Sequence, residues 1–141
     1  MRTRIRAAVV ACDEAGRVLL VRQTPGMDFW VVPGGGLEGG ELMREAALRE
    51  FREETGLQAR LVRLLWIDEM NSNETLRVDA IYLGEIIGGA AGDGEHECRF
   101  FSQEELDTHS VYPRWLADAW REWRLTTTTG HDPARLPGIV R

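Results

Sequence analysis

Three glutamates, Glu50, Glu53 and Glu54, stand at spacings i, i+3 and i+4 in a stretch without Gly or Pro from Glu41 to Thr55. On a helix that spacing puts all three carboxylates on one face. The cluster is unfavourable without a cation. It also lies near the helix C-terminus, where the dipole prefers positive charge. An all-oxygen donor set of this kind suits a hard divalent ion, Mg²⁺ first and Mn²⁺ second. Arg49 is one turn from Glu53 and can hold a carboxylate by a charge-assisted hydrogen bond. Before the helix, glycines at 34, 35, 36, 39 and 40 allow a tight path that exposes backbone groups to a metal or phosphate. Together they point to metal-assisted attack on a phosphoanhydride. Judged on the three glutamates alone, a solvated acidic helix after a flexible loop is the better account.

The elements around this block follow from pattern. Residues 4–12 read as a strand, and 17–22 as its hairpin partner across the turn Asp13-Glu14-Ala15-Gly16. A short strand from Phe29 to Val32 runs into Pro33, which biases Val32 toward extended geometry. The helix stops at Gly56, the left-handed residue past its end. Residues 57–68 and 75–87 read as strands about the polar turn Asn71-Ser72-Asn73. Gly88 to Gly94 is a small-residue loop, and Cys98 to Phe101 a short strand. Ser102 with Glu105 fits a capping box for a short helix. A last helix from about Pro113 to Arg124 puts Leu116, Trp120 and Trp123 on one face. The segment from Thr126 to Arg141, rich in Thr, Gly and Pro, reads as a partly mobile tail. Strands interleaved with helices make a small α/β domain with helices packed on a sheet.

The residues from Gly34 to Leu57, GGGLEGGELMREAALREFREETGL, resemble the Nudix (MutT-like) signature, G-x5-E-x7-R-E-U-x-E-E-x-G-U, where U is bulky and apolar. Gly35, Glu41, Arg49, Glu50, Phe51, Glu53, Glu54, Gly56 and Leu57 fill its specified positions without departure. Trp30-Val31-Val32-Pro33 enters the loop as is common in that family. The resemblance extends over residues 3 to about 125, so residues 1–141 are expected to form one Nudix-like domain. It implies an α/β/α sandwich around a mixed sheet, and hydrolysis of a nucleoside diphosphate linked to another moiety. It further implies that Glu50, Glu53, Glu54 and the Gly35 carbonyl bind the metal and that Arg49 orients a ligand. Glu41 serves as a ligand in some members and a structural group in others.

Other candidates lie outside the signature. A glutamate from a later loop often serves as general base in the family. Glu97, ahead of Arg99-Phe100-Phe101, is the first choice here and Glu95 the second, beside Glu50, Glu53 and Glu54 themselves. His96, His109 and His131 read as exposed. Arg6, Arg22 and Arg77 sit on expected strands and suit phosphate oxygens, with Arg22 preferred. Trp30 or Phe29 could stack on a base, although an aromatic at a strand end is usually core.

Composition bounds the remaining choices. The 141 residues suit one domain, and 28% charged with 43% hydrophobic residues is an ordinary globular balance. The net charge is −6, and all 17 basic residues are arginine. Lysine-based Schiff-base and P-loop chemistry is thereby excluded. An acidic chain repels a phosphate backbone, so bulk nucleic acid is not an expected partner, whereas a small nucleotide-type substrate remains one. No apolar run approaches a membrane span or a signal peptide, which gives a cytoplasmic reading. Cys12 and Cys98 cannot build a disulfide framework and read as buried free thiols. Two further functions compete with hydrolysis. One is a nucleotide-binding sensor of the same fold, disfavoured by the intact signature. The other is an interaction domain or homodimer using Trp115, Trp120 and Trp123.

Overall fold

A computed structural model describes residues 1–128 and 139–140. Among the described residues nine strands and three helices follow one another as β1 (Arg2–Ala11), β2 (Val18–Arg22), β3 (Trp30–Val31), β4 (Gly34–Gly36), α1 (Met43–Thr55), β5 (Leu57–Ser72), β6 (Thr75–Gly89), β7 (Glu97–Phe101), α2 (Gln103–Thr108), β8 (Val111–Tyr112), α3 (Leu116–Thr128) and β9 (Ile139–Val140). They form a five-stranded sheet in the order β4-β1-β6-β5-β9 and a four-stranded sheet in the order β7-β2-β3-β8. Parallel and antiparallel pairs occur in both, so the sheets are mixed.

β1 alternates strictly, and its two faces meet different layers. Ala7, Val9 and Ala11 pack with Ala46, Ala47 and Phe51 of α1. Val10, with Ala8 against it, belongs to the opposite cluster, which holds Trp30, Trp66 and Phe101 under α2 and α3. The result is the expected α/β/α arrangement. β6 lies between β1 and β5, and its centre, Asp79 to Ile81, is buried on both faces. Its sequence therefore reads apolar on one side and mixed on the other.

The turn at residues 13–16 forms as expected. The Asp13 carboxylate accepts from the backbone N–H of Ala15 and Arg17, and Gly16 takes φ 79°. The strands it joins do not make a hairpin ladder, however. β1 is flanked by β4 and β6, β2 by β3 and β7, and one bridge, Cys12 to Val18, connects the two sheets. Local alternation could not reveal that both edges of each strand are taken by distant partners. The β5–β6 hairpin is longer than its pattern suggested: Ser72 pairs Thr75, and the loop is Asn73-Glu74, both at positive φ. That conformation is the two-residue turn whose twist matches the strands.

α1 begins at Met43, two residues after its expected start. Leu42 has no side-chain oxygen to cap it, but Glu45 reaches back to accept from the Leu42 N–H at 2.9 Å. At its other end Gly56 takes φ 82° and donates its N–H to the Arg52 carbonyl, the left-handed stop that the sequence called for. The Ser102–Glu105 capping box of α2 is reciprocal, at 3.2 and 3.1 Å. α3 starts at Leu116 and continues to Thr128. Leu116, Ala119, Trp120 and Trp123 are all buried in the chain's own core, so that tryptophan face is not free for a partner. The expected mobile tail falls largely on residues 129–138, outside the described residues; Ile139 and Val140 pair with Trp66 and Ile67 of β5. Among the described residues no helix is long and apolar enough to cross a membrane.

Candidate metal and phosphate site

The C-terminal half of α1, strand β4 and the β6–β7 loop converge on one place. Arg49 is its hub. Its Nε and Nη2 hold the Glu41 carboxylate at 2.6 and 2.9 Å, and Nη2 also donates to the Gly36 carbonyl at 3.1 Å. Its Nη1 reaches Glu50 at 2.9 Å and Glu53 at 3.2 Å. A planar fork can serve several acceptors in fixed directions, which a lysine ammonium cannot. The guanidinium holds the Glu41 carboxyl well below its usual range, at about 2, and the carboxylates in turn raise the arginine. Glu41 therefore orders Arg49 from the loop side.

Glu54 is different in kind. Its side chain is buried, and it accepts one hydrogen bond, from the Gly34 backbone N–H at 3.1 Å. Burial pushes its carboxyl up to about 7, and the neighbouring charges of Glu50 and Glu95 add to the rise. The Gly34 hydrogen bond and the nearby Arg6 oppose it. A carboxylate kept dry beside other carboxylates costs free energy unless a cation joins it.

Gly35 sits beneath Glu50. A Cβ there would lie 2.5 Å from the Glu50 carboxylate carbon and 2.7 and 2.8 Å from its oxygens. The glycine thus leaves open the space in which that carboxylate lies. The β6–β7 loop closes the helix end. The backbone N–H of Glu95 donates to the Glu53 carbonyl at 2.8 Å, and that of His96 to the Glu54 carbonyl at 3.1 Å. Two carbonyls that a helix terminus leaves unpaired are satisfied in this way, which offsets part of the cost of acid at that end. Gly94 lets the loop approach, since a Cβ there would be 2.5 Å from the Glu54 carbonyl and the Gly56 nitrogen.

The donor set fits a hard divalent cation: oxygens of Glu50, Glu53, Glu54 and the Gly35 carbonyl, with no sulfur or imidazole among them. In this state the carboxylates are turned to protein partners, Glu50 and Glu53 to Arg49 and Glu54 to Gly34. Among the described residues no three acidic, histidine or cysteine side chains are already gathered about one point. An arriving ion would replace the Arg49 contacts of Glu50 and Glu53.

The structure brings together Gly35, Glu41, Arg49, Glu50, Glu53 and Glu54, and with them Glu95. Glu97 stands apart. It opens β7 opposite Arg22 on β2, and the two form an ion pair at 3.5 Å. Trp30 is buried, edge-on to Phe101 at 5.0 Å, with Arg22 and Arg99 over its ring at 4.5 and 5.1 Å. Its face is therefore covered by two guanidiniums. Arg77 lies on β6, bonded to Asp79 at 3.2 and 3.0 Å, in a separate cavity with Arg4 and Arg6. Neither Arg4 nor Tyr112 of that cavity stands out from the sequence as a site residue. The i, i+2 spacing of Arg4 and Arg6 on a strand was the signal available for Arg4. Both cysteines are half-buried free thiols, Cys98 donating its Sγ–H to the Thr55 carbonyl at 4.0 Å, and burial pushes each thiol upward.

Comparison with known proteins agrees with the signature. A NUDIX domain family model matches residues 2–120. An ADP-ribose pyrophosphatase of Methanocaldococcus jannaschii is 30% identical over 118 residues, which cover 79% of this chain and 70% of that protein. A human diphosphoinositol polyphosphate phosphohydrolase is 43% identical over 65 residues, 46% of this chain and only 36% of that protein. An RNA pyrophosphohydrolase of Actinobacillus pleuropneumoniae is 41% identical over 63 residues, covering 45% of this chain and 30% of its own length. Among solved structures, an ADP-ribose pyrophosphatase of Streptococcus suis superimposes with a TM-score of 0.74 at 19% identity, covering 98% of both chains. A UDP-X diphosphatase gives 0.75 at 19% identity, over 100% of this chain and 68% of that one. These two likenesses concern the fold.

Proposed function

This chain belongs to the Nudix hydrolase family, and we propose that it is a Mg²⁺-dependent pyrophosphohydrolase, with Mn²⁺ as a working substitute. Its substrates are nucleoside diphosphates linked to another moiety: nucleoside triphosphates, ADP-ribose or nucleotide sugars. The observation that carries this reading is the convergence of Glu50, Glu53 and Glu54 on one helix end, with Arg49 binding Glu41, Glu50, Glu53 and the Gly36 carbonyl together. Support for the substrate class comes from the archaeal relative whose name is ADP-ribose pyrophosphatase. Two half-buried free thiols suit the reducing cytoplasm.

The division of labour follows from the contacts. Glu50, Glu53, Glu54 and the Gly35 carbonyl hold the ion. Bound Mg²⁺ supplies charge that offsets the diphosphate oxygens and acidifies water. Arg49 keeps the ligands of α1 in register with β4. Glu54 is oriented by the Gly34 N–H, and its dry surroundings strengthen its attraction for a cation. Glu95 accepts the proton of the attacking water. It is preferred to Glu97 because it is anchored at the helix end and its charge reaches Glu54, whereas Glu97 is paired with Arg22. The test is a panel of nucleoside triphosphates, ADP-ribose and nucleotide sugars with Mg²⁺ or Mn²⁺, scoring phosphate and nucleotide products. Hydrolysis of at least one class at the diphosphate is expected. Ligand-induced stabilisation without product from any of them would support a sensor instead.

A further inference from the structure

A second cavity, of about 350 Å³, opens on the face of β1 opposite α1. Arg4, Arg6 and Arg77 line it together with Gln23, Phe29 and Tyr112, and no acidic side chain lines it. In a chain of net charge −6 that is an unusual concentration of positive charge. The register of the parallel β1–β6 pair makes it. Arg4 is opposite Arg77, and Arg6 is opposite Asp79. Like charges facing across strands destabilise a sheet, so packing does not explain the pair. Asp79 lies behind the cavity and is shared, bidentate with Arg77 and 3.8 Å from Arg6. Asp68 also attracts Arg77, while accepting from the Trp115 indole at 3.3 Å. Among the described residues Arg4 has no ion pair. Positive charge is thus left over at the cavity wall.

The cavity is coupled to the metal site through one residue. Gly34 donates its N–H to Glu54, and its carbonyl faces the Arg6 guanidinium at 3.5 Å. Arg6 is held partly out of water, and Arg77 opposes its charge further, as a waiting anion site requires. Two aromatic side chains line the walls: Tyr112, with Arg77 5.5 Å from its ring centroid, and Phe29.

We propose that Arg4, Arg6 and Arg77 form a second anion site, which binds a phosphate monoester that the substrate carries in addition to its scissile diphosphate. Three guanidiniums match a dianionic phosphate better than a neutral sugar or base. The substrate class therefore narrows to diphosphates with a further phosphate on one of their moieties. This rests on the hydrolase reading above, but the site itself can be tested without turnover.

Calorimetry of metal-free protein with inorganic pyrophosphate, in chelator, isolates the site. Saturable binding is expected, weakened about tenfold or more in Arg4→Gln and in Arg77→Gln, the loss of one charge-assisted contact. The variants' thermal unfolding establishes that they are folded. No binding, or binding unchanged in both folded variants, overturns the site whatever the enzyme hydrolyses. Paired substrates then locate it in the reaction: ADP-ribose against its 2′-phosphate, and dephospho-coenzyme A against coenzyme A. With Mg²⁺ the phosphorylated member should have the higher kcat/KM by about tenfold, and Arg77→Gln should erase the ratio. Equal rates within each pair overturn the substrate narrowing alone. Pyrophosphate binding with no hydrolysis of any compound would leave the anion site standing and remove the hydrolase reading.

Discussion

Gly34 donates its backbone N–H to the Glu54 carboxylate at 3.1 Å, across twenty residues of chain. The bond fastens the entry strand β4 to the last turn of α1, and it is the one protein hydrogen bond that the buried carboxylate accepts among the described residues. Glu54 is thereby aimed but not neutralised.

The metal-free protein should lose stability as pH rises through this carboxyl. Its folded value, about 7, lies above the ordinary 4.5. The folded state thus holds more protons than the unfolded one between these values. The contribution is full below pH 4.5 and is lost as pH climbs to about 7, amounting to at most about 3 kcal/mol. Glu54→Gln should flatten this part of the profile, measured by denaturant unfolding between pH 5 and about 8 in chelator. A wild-type profile that rises over that window would contradict the assignment.

Arg49→Ala removes the contacts to Glu41, Glu50, Glu53 and the Gly36 carbonyl at once. Because the network borders solvent, its stability cost should be only about 1 kcal/mol. Turnover should fall about 10²-fold, since the ligands lose register. Arg49→Lys should recover little of it, because a point charge cannot replace the fork. Steady-state kinetics beside thermal unfolding separates the two effects.

Gly35→Ala places a methyl group against the end of the Glu50 side chain, which can move aside. Unfolding free energy should change by less than about 1 kcal/mol, while kcat falls by about 10²-fold. Gly34→Ala is the contrast. Its Cβ would lie 2.5 Å from the Ala7 carbonyl and from the Ala8 Cβ, so the sheet must shift and the fold itself should weaken. Equal melting temperatures for the two variants would count against this account of β4.

Glu95→Gln should lower kcat by about 10²- to 10⁴-fold, the usual reach of a general base. Glu97→Gln should alter it by less than about tenfold and chiefly release Arg22. Parallel kcat–pH profiles decide between them. If Glu97→Gln is the crippled variant, the base has been misassigned.

Most of the α1 site could be read directly, because fixed spacing on a helix determines which residues share a face. The Glu50, Glu53 and Glu54 cluster, the Gly56 stop and the Ser102–Glu105 box all depend on neighbours within a few residues. Strand pairing does not. β1 and β2 look like a hairpin over the Asp13 turn, yet their partners are β4, β6, β7 and β3, chosen by contacts across the whole chain. The same limit hid the arginine cavity: Arg4 meets Arg77 only because β1 lies parallel to β6. The choice between Glu95 and Glu97 was closed to sequence for a related reason. Only His96 separates them, but one turns to the helix end and the other joins a ladder.

By taking up a divalent ion, the acidic end of α1 should become a phosphate site. The direct measurement is the initial rate on the best diphosphate substrate in chelator, then with Mg²⁺ titrated back, for wild type and for Glu53→Gln and Glu54→Gln. No turnover in chelator is expected, with full recovery by Mg²⁺ in the wild type and little recovery in either variant despite normal folding. Full activity without metal, or near-normal Mg²⁺-supported turnover in both variants, would contradict it.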